Sequence, residues 1–391
     1  MKISIYLEPA GSGIGGAEFV AALLAEALAK DHQVDLFHRI PSLTIDKLVA
    51  FSGTNLQNVQ LHYVDLAEQQ LSRRNPLSHY KDSRNFLAEL SKSYDVFVPI
   101  THGVPPFCHA KKGALILLFP TPTAPYVNPE GGLDLKLALK RPGRCLYQTW
   151  VWKKRMESYQ LKTAISEFSR EWGRRRWGIE CEVIHPPVNT NVFREVEKQK
   201  FILSVGRFAI EGEGHTKKQE QMLDTYRRLN GERPFDWQYF CVGGLSATAA
   251  HQEFFDKLTQ LAPASAHLKA NIDWSELISL YERASIFWHA AGYGQDQNKQ
   301  PIFVEHFGIS TVEAMAAGCV PVVINKGGQA EIVEHGVNGF LWDTLDELKD
   351  YTTRLMNDDE LRVKMAQAAR RRAQMFSRET FVTKFVGRLL E

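Results

Sequence analysis

Short apolar runs alternate with amphipathic stretches along the chain, and the alternation predicts parallel βαβ units. The apolar runs of the first half are rich in β-branched and aromatic residues, which favours strands. The predicted strands there are 3–7, 34–38, 59–64, 96–100 and 114–119, and the predicted helices include 17–30 and 81–93. Strands that alternate with helices are typical of an α/β domain with a parallel sheet.

The same alternation restarts near residue 200. The predicted strands of this second series are 201–206, 237–244, 285–290 and 321–324, and its predicted helices are 217–230, 250–261, 275–284 and 310–317. Two such series predict two doubly wound, Rossmann-like domains. Ligands of these sheets bind beyond the carboxyl ends of the strands. The loops that follow the predicted strands 3–7, 201–206, 237–244 and 285–290 are therefore expected to converge at the site.

The domain boundary is expected where Pro186 and Pro187 interrupt regular structure before a polar stretch. We therefore predict an N-terminal domain over 1–190 and a C-terminal domain over 191–375. The final helix, 376–391, is a candidate to pack back on the first domain.

The composition is that of an ordinary globular protein. The 391 residues are 44% hydrophobic and 24% charged, and the formal net charge of +2 gives no sign of a nucleic-acid partner. No apolar run approaches the roughly 20 residues that span a bilayer, and the N-terminal residues do not resemble a signal peptide, so a cytoplasmic protein is expected. The cysteines are scattered without a C-x-x-C pair, which argues against a disulfide framework and a zinc site.

Positive charge is concentrated between residues 136 and 177. This segment holds twelve Lys or Arg against three Glu, together with Trp150, Trp152, Trp172 and Trp177. A solvated helical face is the commoner explanation of such a segment. The alternative is a patch that binds an acidic acceptor or an anionic membrane surface, since basic and aromatic side chains together suit a lipid interface. In that case the protein is peripheral at the inner face of the membrane.

A glycine-rich loop follows the first predicted strand. Gly11, Gly13 and Gly16 have the G-x-G-x-x-G spacing of a dinucleotide-binding loop. The context differs, because the second strand ends in His38 and Arg39 and not in the acidic residue that would hold a ribose. A dehydrogenase is therefore the least favoured function. The loop still lets the backbone approach a phosphate beside the N-terminus of a helix.

The most informative stretch is 305–342. Glu305 and Glu313 are separated by seven residues, and a short helix is predicted to end at Gly318. This pattern resembles the E-x7-E motif of the retaining glycosyltransferases of family 4, whose GT-B fold has two doubly wound Rossmann-like domains facing a central cleft. The strings "GIGGAE", "HPPVNTNVF" and "SVGRF" are similar to further elements of that family, so the resemblance covers nearly the whole chain.

The resemblance implies that the N-terminal domain, 1–190, binds the acceptor and that the C-terminal domain, 191–375, binds the nucleotide-sugar donor. It also implies a role for several residues. Glu313 accepts hydrogen bonds from the nucleotide ribose, and Glu305 lies against the donor sugar. Arg207 and Lys217 grip the donor diphosphate, a role that suits a guanidinium and an ammonium. Lys218 is the substitute for Lys217 if the register shifts. The other donor-binding positions that the resemblance implies are Gly15, Gly16, His306, Phe307, Gly308, Ile309 and Ser310.

Each of these positions also has an ordinary explanation. Ser310 and Glu313 fit an S-x-x-E capping box, in which Glu313 only satisfies backbone N–H groups at the start of a helix. Charged loop residues such as Glu305 and Arg207 are commonly just solvated. It is the joint occurrence of these residues at the family's positions that favours a donor site.

One departure from the family pattern bears on catalysis. Many relatives carry a histidine just after the strand equivalent to 114–119, where this chain has Leu118, Phe119 and Pro120. His102, which follows the preceding strand, is then the candidate catalytic histidine. A loop histidine that is merely solvated is the alternative.

Two further segments belong to the expected donor pocket. The insertion 209–216 obscures the register of Lys217 and brings His215 into consideration as a site residue. The long polar loop 292–304 is expected to shape part of the pocket.

The resemblance implies a retaining hexosyltransferase that uses a nucleotide diphosphate sugar, with GDP-mannose favoured, and a glycan, lipid-linked or small-molecule acceptor. It implies no cofactor and no metal, and the sequence contains no D-x-D element. One alternative is a GT-B nucleotide-sugar epimerase. Another is a catalytically silent GT-B subunit that binds nucleotide in a polysaccharide complex.

Overall fold

The computed structural model describes residues 1–9, 14–65, 76–210, 216–232 and 236–391, without the side chains of 76–79 and 232. Within them the chain divides into two compact units. Unit 1 comprises 1–187 and 381–391, and unit 2 comprises 188–380.

Unit 1 is built on a parallel sheet. Its strands are β1 (Lys2–Leu7), β2 (Gln33–His38), β3 (Val59–Tyr63), β4 (Val96–Thr101), β5 (Lys112–Leu117), β6 (Leu161–Ala164) and β7 (Glu182–Val183). Within the described residues they are ordered β3-β2-β1-β4-β5-β6-β7. The direction of winding reverses between β1 and β4, so the loops after these two strands meet at a topological switch point.

Helices cover this sheet. They are α1 (Gly16–Leu28), α2 (Ile45–Ser52), α3 (Pro76–Asn85), α4 (Glu89–Lys92), α5 (Leu135–Lys140), α6 (Pro142–Glu157) and α7 (Glu167–Trp177). All six residues of β4 are buried, as expected for a strand covered on both faces. The single helix predicted over 81–93 is wrong, because Leu87 adopts a left-handed φ of +53° between α3 and α4.

Unit 2 repeats the architecture. Its strands are β8 (Gln199–Val205), β9 (Gln238–Gly243), β10 (Ala266–Ala270), β11 (Ala284–His289), β12 (Val320–Ile324) and β13 (Phe340–Trp342). They form a parallel sheet in the order β10-β9-β8-β11-β12-β13, counted over the part of the chain that the structure describes. Its switch point lies between β8 and β11.

The helices that follow these strands agree with the sequence pattern. They are α8 (Gln219–Glu232), α9 (Ala249–Leu261), α10 (Trp274–Arg283), α11 (Ile309–Ala316), α12 (Gln329–Ile332), α13 (Leu345–Asn357), α14 (Asp359–Ala373) and α15 (Arg378–Leu390). Most of α15 belongs to unit 1, where Arg388 Nε donates to Glu182 Oε2 at 3.1 Å. Both halves of the chain are therefore doubly wound α/β units.

Candidate active site

Three titratable side chains meet at the carboxyl edge of the unit 2 sheet. Lys217 Nζ forms an ion pair with Glu305 Oε2, and His289 Nε2 lies 3.2 Å from the same oxygen. Lys217 belongs to the β8–α8 connection and Glu305 to the β11–α11 connection, so the two sides of the switch point each supply one charge. The Lys217 and Glu305 side chains are each 16% exposed, which leaves the pair partly accessible to a ligand.

His289 is the last residue of β11 and is buried. Burial lowers the pKa of His289, which favours the neutral imidazole, although the hydrogen bond to Glu305 opposes this shift. An ionised carboxylate only accepts hydrogen bonds, so we assign the imidazole proton to Nε2, from which it is donated to Glu305. His289 Nδ1 is buried and has no hydrogen-bond partner within the described part of the chain.

Two glycines fix the backbone of Glu305. Gly328 N donates to Glu305 O at 2.9 Å. Gly327 has a φ of +56°, and a Cβ atom at this position would lie 2.2 Å from Glu305 O. A side chain at Gly327 would therefore displace the segment that carries the carboxylate.

The N-terminus of α11 has no side-chain cap. Its N-cap residue is Gly308, with a φ of +126°, and a Cβ there would lie 2.2 Å from Gln329 Nε2. The first N–H groups of a helix lack intrahelical acceptors and attract anions. Because Ile309 begins the helix, Ser310 is its second residue and not its N-cap, so the predicted capping box with Glu313 is wrong.

Glu313 lies within α11 and is bonded to a buried tyrosine. Tyr281 O–H donates to Glu313 Oε2 at 2.9 Å. Burial raises the pKa of Glu313 to about 7, so the carboxyl is partly protonated at neutral pH. Burial and the neighbouring Glu313 together raise the pKa of Tyr281, which keeps its hydroxyl as a hydrogen-bond donor.

Arg207 and Lys217 bracket the same edge of the sheet. Arg207 is exposed in the loop after β8, and no described acidic side chain forms an ion pair with it. Gln219 Nε2 donates to Arg207 O at 2.9 Å and so joins the loop to α8. A Cβ at Gly206 would lie 2.6 Å from Lys217 Cγ, so the lysine stem runs close against this glycine. Lys217 Nζ donates to Glu305 Oε2, as the first of the two lysine registers predicts.

The residues between the two glutamates differ in accessibility. His306 and Phe307 are 9% and 3% exposed, and the Phe307 ring meets Phe376 edge-on with centroids 5.5 Å apart. Their side chains pack inside unit 2. Any contact that this stretch makes with a ligand is therefore made mainly by its backbone and by the partly exposed Ile309 and Ser310.

The polar loop 292–304 is fastened beside the glycines that support Glu305. Lys326 Nζ donates to Gln295 O at 2.5 Å, and Gly327 N donates to Gln297 Oε1 at 3.0 Å. The loop thus lies next to the candidate site. A role in shaping a donor pocket stays a prediction.

His102 lies in unit 1, at the switch point between β1 and β4. The Glu8 carboxylate accepts the backbone N–H groups of His102 and Gly103, each at 3.3 Å. Burial lowers the pKa of His102, while the charge of Glu8 opposes that shift. His102 is therefore adjacent to a carboxylate of its own unit. Glu305, Lys217 and Arg207 belong to unit 2.

Gly15 and Gly16 form the start of α1. Gly15 is the N-cap residue, and its N–H donates to Glu18 Oε2 at 2.8 Å. Glu18 is 4% exposed, and burial raises its pKa. The contact of Gly15 and Gly16 with a donor stays a prediction. Three further positions of the predicted site lie outside the described residues: Gly11, Gly13 and His215.

The position of the family's histidine is part of the core. Leu118 is 5% exposed and Phe119 is fully buried, with its ring stacked on Phe168 at a centroid distance of 5.9 Å. The segment after β5 is thus packed against helix α7. These side chains fill the interior and carry no titratable group.

The basic segment 136–177 divides into two parts. Trp152, Trp172 and Trp177 are at most 8% exposed, so the expectation that they contribute to a surface patch is wrong. The arginines of α7 are also engaged: Arg174 and Arg175 pair with Glu171, and Arg176 donates to Pro120 O and Pro129 O. Trp150, by contrast, is 44% exposed.

Two residues of the site were not named from the sequence. His289 ends a strand of the second series, and its position at a carboxyl edge was the available signal. Tyr281 lies in the middle of α10, where an aromatic residue ordinarily indicates core packing. Only the fold brings its hydroxyl to Glu313.

Among the residues that the structure describes, no three His, Cys, Asp or Glu side chains cluster as metal ligands would. Metal independence nevertheless stays a prediction, because it concerns the reaction. Within the same residues, the helices are all too short or too polar to cross a membrane.

Comparison with known proteins connects this geometry to a family. Residues 188–372 match the model of the group 1 glycosyl transferases. The chain is 27% identical over 239 residues to the GDP-Man:Man(3)GlcNAc(2)-PP-Dol alpha-1,2-mannosyltransferase of Dictyostelium discoideum, a match that covers 56% of this chain and 43% of the relative. A 41-residue segment, 10% of this chain and 5% of the relative, is 56% identical to sucrose synthase 2 of Pisum sativum. The chain spans less than half the length of these curated relatives.

Solved structures with the same fold cover the whole chain. Anabaena HepE, solved with UDP and glucose, superimposes with a TM-score of 0.67 at 17% identity, over 99% of both chains. Sucrose-phosphate synthase of Thermosynechococcus elongatus gives 0.66 at 16% identity, over 100% of this chain and 98% of that one. The predicted GT-B fold is confirmed by these matches. Residues 188–372 therefore belong to the group 1 glycosyl transferases, carried on a chain with the GT-B fold.

Proposed function

We propose that this protein is a retaining, metal-independent hexosyltransferase that uses a nucleotide diphosphate sugar as its donor. The carrying observation is the arrangement of Glu305, ion-paired with Lys217, and Glu313, at the two ends of a segment that includes the uncapped start of α11. GDP-mannose is the favoured donor, supported by the similarity of the chain to GDP-Man:Man(3)GlcNAc(2)-PP-Dol alpha-1,2-mannosyltransferases. A glycan, lipid-linked or small molecule is the proposed acceptor.

Glu313 is the proposed ribose ligand. A carboxylate accepts two hydroxyl donors well, and Tyr281 already holds Oε2 and so orients the group. Since the pKa of the free carboxyl is about 7, donor binding would favour its ionised form. This assignment makes Tyr281 a positioning residue.

The donor diphosphate is proposed to lie near Arg207, Lys217 and the N-terminus of α11. Cleavage of the sugar–phosphate bond increases negative charge on the leaving group. Fixed cations and helix-end N–H groups stabilise that charge without further reorganisation. This arrangement supports catalysis by electrostatic stabilisation of the leaving diphosphate.

Glu305 is proposed to lie against the donor sugar, held in position by Lys217 and by the neutral His289. In a front-face substitution the bond from the anomeric carbon to the diphosphate breaks, and the acceptor oxygen bonds to the same face of that carbon. The acceptor proton passes to the departing phosphate oxygen, so no side-chain base is required. His102 stays a candidate to contact the acceptor or donor.

A thermal-shift screen tests the donor. GDP-mannose, UDP-glucose and NAD are each added to the full chain, and we expect a nucleotide sugar to raise the melting temperature while NAD does not. Ligand at about 100 times its Kd adds about 2.7 kcal/mol to the free energy of unfolding, which is a readily measured shift. Stabilisation by NAD alone would revive the dehydrogenase alternative and contradict the proposal.

Two alternatives need activity assays. An epimerase would release nucleotide without an added acceptor, whereas a transferase is expected to release it faster with one. A silent subunit, suggested by the core side chains at the family's histidine position, would bind the nucleotide sugar without cleaving it. Donor cleavage that is unchanged by Glu305→Ala would contradict the assignment of the site.

A further inference from the structure

An unusual concentration of exposed leucines lies on unit 1. Helix α5 has no buried residue, although half of its six residues are leucines. Isolated exposed leucines are normal on protein surfaces, but a helix without any buried side chain is not held by a core. The exposed apolar side chains of this region are Leu133 (60%), Leu135 (61%), Leu137 (47%), Leu139 (77%), Leu146 (73%) and Trp150 (44%). We call these six residues the leucine surface.

Four basic side chains are interspersed with the leucine surface in the sequence. They are Lys136, Lys140, Arg141 and Arg144, and all four are exposed. None of them forms an ion pair with an acidic residue in the described ranges. The nearby acid Asp134 is already engaged as the N-cap of α5, where its side chain accepts from Leu137 N at 2.9 Å.

The rest of the basic segment behaves differently. The arginines of α7 are bonded to Glu167, to Glu171 or to backbone carbonyls, and Lys153 and Lys154 both lie within 4 Å of Glu157. Arg155 and Lys162, which form no ion pair with an acid of the described ranges, are partly buried. Within the basic segment, the exposed cations without an acidic partner are therefore those of the stretch that also exposes leucines. This coincidence distinguishes the surface from an ordinary solvated helix.

We propose that the leucine surface docks on a bilayer that contains anionic lipid. Leucine side chains partition into the boundary between headgroups and acyl chains, while Lys and Arg interact with the lipid phosphates. The two kinds of side chain occur here on one short helix and the start of the next. The proposal differs from the expectation based on sequence, since the leucines and not the four tryptophans supply most of the apolar contact.

A second copy of the chain fits this surface less well. A symmetric dimer would bring the same patch of both copies together and so oppose their cations. Like charges facing each other disfavour such an interface. A bilayer that contains anionic lipid provides an apolar environment for the leucines and negative charge for the four cations, which is why we choose lipid. The proposal does not depend on the donor site, because it involves none of the residues proposed to bind nucleotide sugar.

Vesicle co-sedimentation tests the proposal on the full chain. Phosphatidylcholine vesicles with and without phosphatidylglycerol are compared at low and high salt, where the Debye length falls from about 10 Å at 0.1 M to about 3 Å at 1 M. We expect roughly tenfold or more binding to the anionic vesicles over the neutral ones, and a large loss at high salt. Equal binding to both vesicle types, or no binding to either, would overturn it.

Matched variants locate the contact. Leu139→Ser with Leu146→Ser removes apolar contact, and Lys140→Gln with Arg144→Gln removes charge. Each pair is expected to abolish most vesicle binding without lowering the melting temperature, because these side chains are exposed. Leu261→Ser, which alters a leucine that is 42% exposed in unit 2, is the control and should bind as wild type does.

Two results of this series would overturn the proposal. One is wild-type binding by both double variants. The other is a concentration-dependent dimer in sedimentation velocity that the leucine variants abolish, which would identify the surface as a self-interface. Failure here is distinguishable from failure of the proposed function, since vesicle binding needs no nucleotide sugar and donor cleavage needs no vesicle.

Discussion

The two units share a doubly wound topology, but the backbone N–H groups at their helix starts and switch points differ in whether a carboxylate of the chain accepts from them. In unit 1, the Glu18 carboxylate accepts the N–H of Gly15 at the start of α1, and Glu8 accepts N–H groups at the switch point. In unit 2, the N-cap Gly308 has no side-chain cap, and Glu305 is held by Lys217 and His289. Whether the N–H groups at such a position are free to bind an anion therefore depends on whether one of the chain's own carboxylates already accepts from them. The topology alone does not decide it.

The largest effect on activity is expected from a change at Glu305, the carboxylate that Lys217 and His289 both contact. Glu305→Gln keeps the shape of the side chain but removes the charge paired with Lys217. We expect the donor-cleavage rate to fall by about 10²- to 10³-fold, the usual effect of losing one electrostatic group in an active site. The measurement is nucleotide release from the nucleotide sugar that stabilises the protein most.

The control for this variant is Glu276→Gln. It removes another Lys–Glu pair of unit 2, with Lys269, whose two side chains are 38% and 39% exposed. A surface pair contributes only about 0–1 kcal/mol, so activity should stay close to that of wild type. Equal losses in the two variants would mean that Glu305 acts through stability alone.

A side chain at Gly308, the N-cap residue of α11, should have the next largest effect, which is on donor affinity. Gly308→Ala places a Cβ 2.2 Å from Gln329 Nε2 at a φ of +126°. Such strain is of the order of 1–3 kcal/mol, so displacing the helix end should weaken donor binding by up to about a hundredfold in calorimetry. The control is Gly387→Ala, whose Cβ meets no atom within 4 Å and which should stabilise α15 by up to about 1 kcal/mol. Unchanged donor affinity in Gly308→Ala would contradict a role for this helix end.

A smaller effect concerns pH. The free Glu313 carboxyl has a pKa of about 7, and the ribose hydroxyls favour its ionised form. Below pH 7 donor binding must therefore release a proton, and affinity should fall by up to about tenfold per pH unit as the pH decreases. Calorimetry in two buffers of different ionisation enthalpy measures this release. Glu313→Gln should remove the pH dependence, and persistence of the slope in that variant would exclude Glu313 as its source.

The raised pKa of Glu313 also affects the free energy of unfolding, with a pH dependence opposite to that of donor affinity. The pKa of Glu313 is raised from its ordinary value of 4.5, so the folded protein holds more protons than the unfolded chain between pH 4.5 and 7. Its contribution to the free energy of unfolding is present at low pH and is lost as the pH rises through 7. Donor-free protein should therefore gain stability from Glu313 toward low pH, while donor affinity decreases.

The smallest effect is expected in unit 1. Glu18→Ala leaves the Gly15 N–H without its carboxylate and should cost about 1 kcal/mol of stability. If Gly15 joins the donor site, its released N–H should tighten nucleotide-sugar binding by a few-fold, the value of one neutral hydrogen bond. The control is Glu347→Ala in α13, where Glu347 accepts the N–H groups of Asp343 and Thr344. Equal donor affinity in both variants would argue against a hydrogen bond from the Gly15 N–H to the donor.

Much of the fold was predictable because apolar runs determine buried parallel strands. The E-x7-E spacing likewise indicated the segment that carries Glu305 and Glu313. The break at Leu87 was not predictable, since a left-handed leucine leaves no mark in hydrophobic periodicity. Nor was the burial of Trp172 and Trp177, because the packing of α7 on its sheet decides it.

The polar contacts of the site illustrate the same limit. His289 meets Glu305 because β11 ends beside the connection that carries the carboxylate. Tyr281 reaches Glu313 across two helices, at a separation of 32 residues. Sequence spacing identifies residues that belong to one motif, whereas these partners belong to other elements and become neighbours only through the fold.

Amide hydrogen exchange with and without saturating GDP-mannose tests the central claim most directly. We predict that peptides covering 305–313, including the uncapped start of α11, become protected by the ligand. The start of α13, where Thr344 and Glu347 already form a capping box, should show no change. Binding of the nucleotide sugar without protection at 305–313 would contradict the proposal that Glu305, Glu313 and the start of α11 form the donor site.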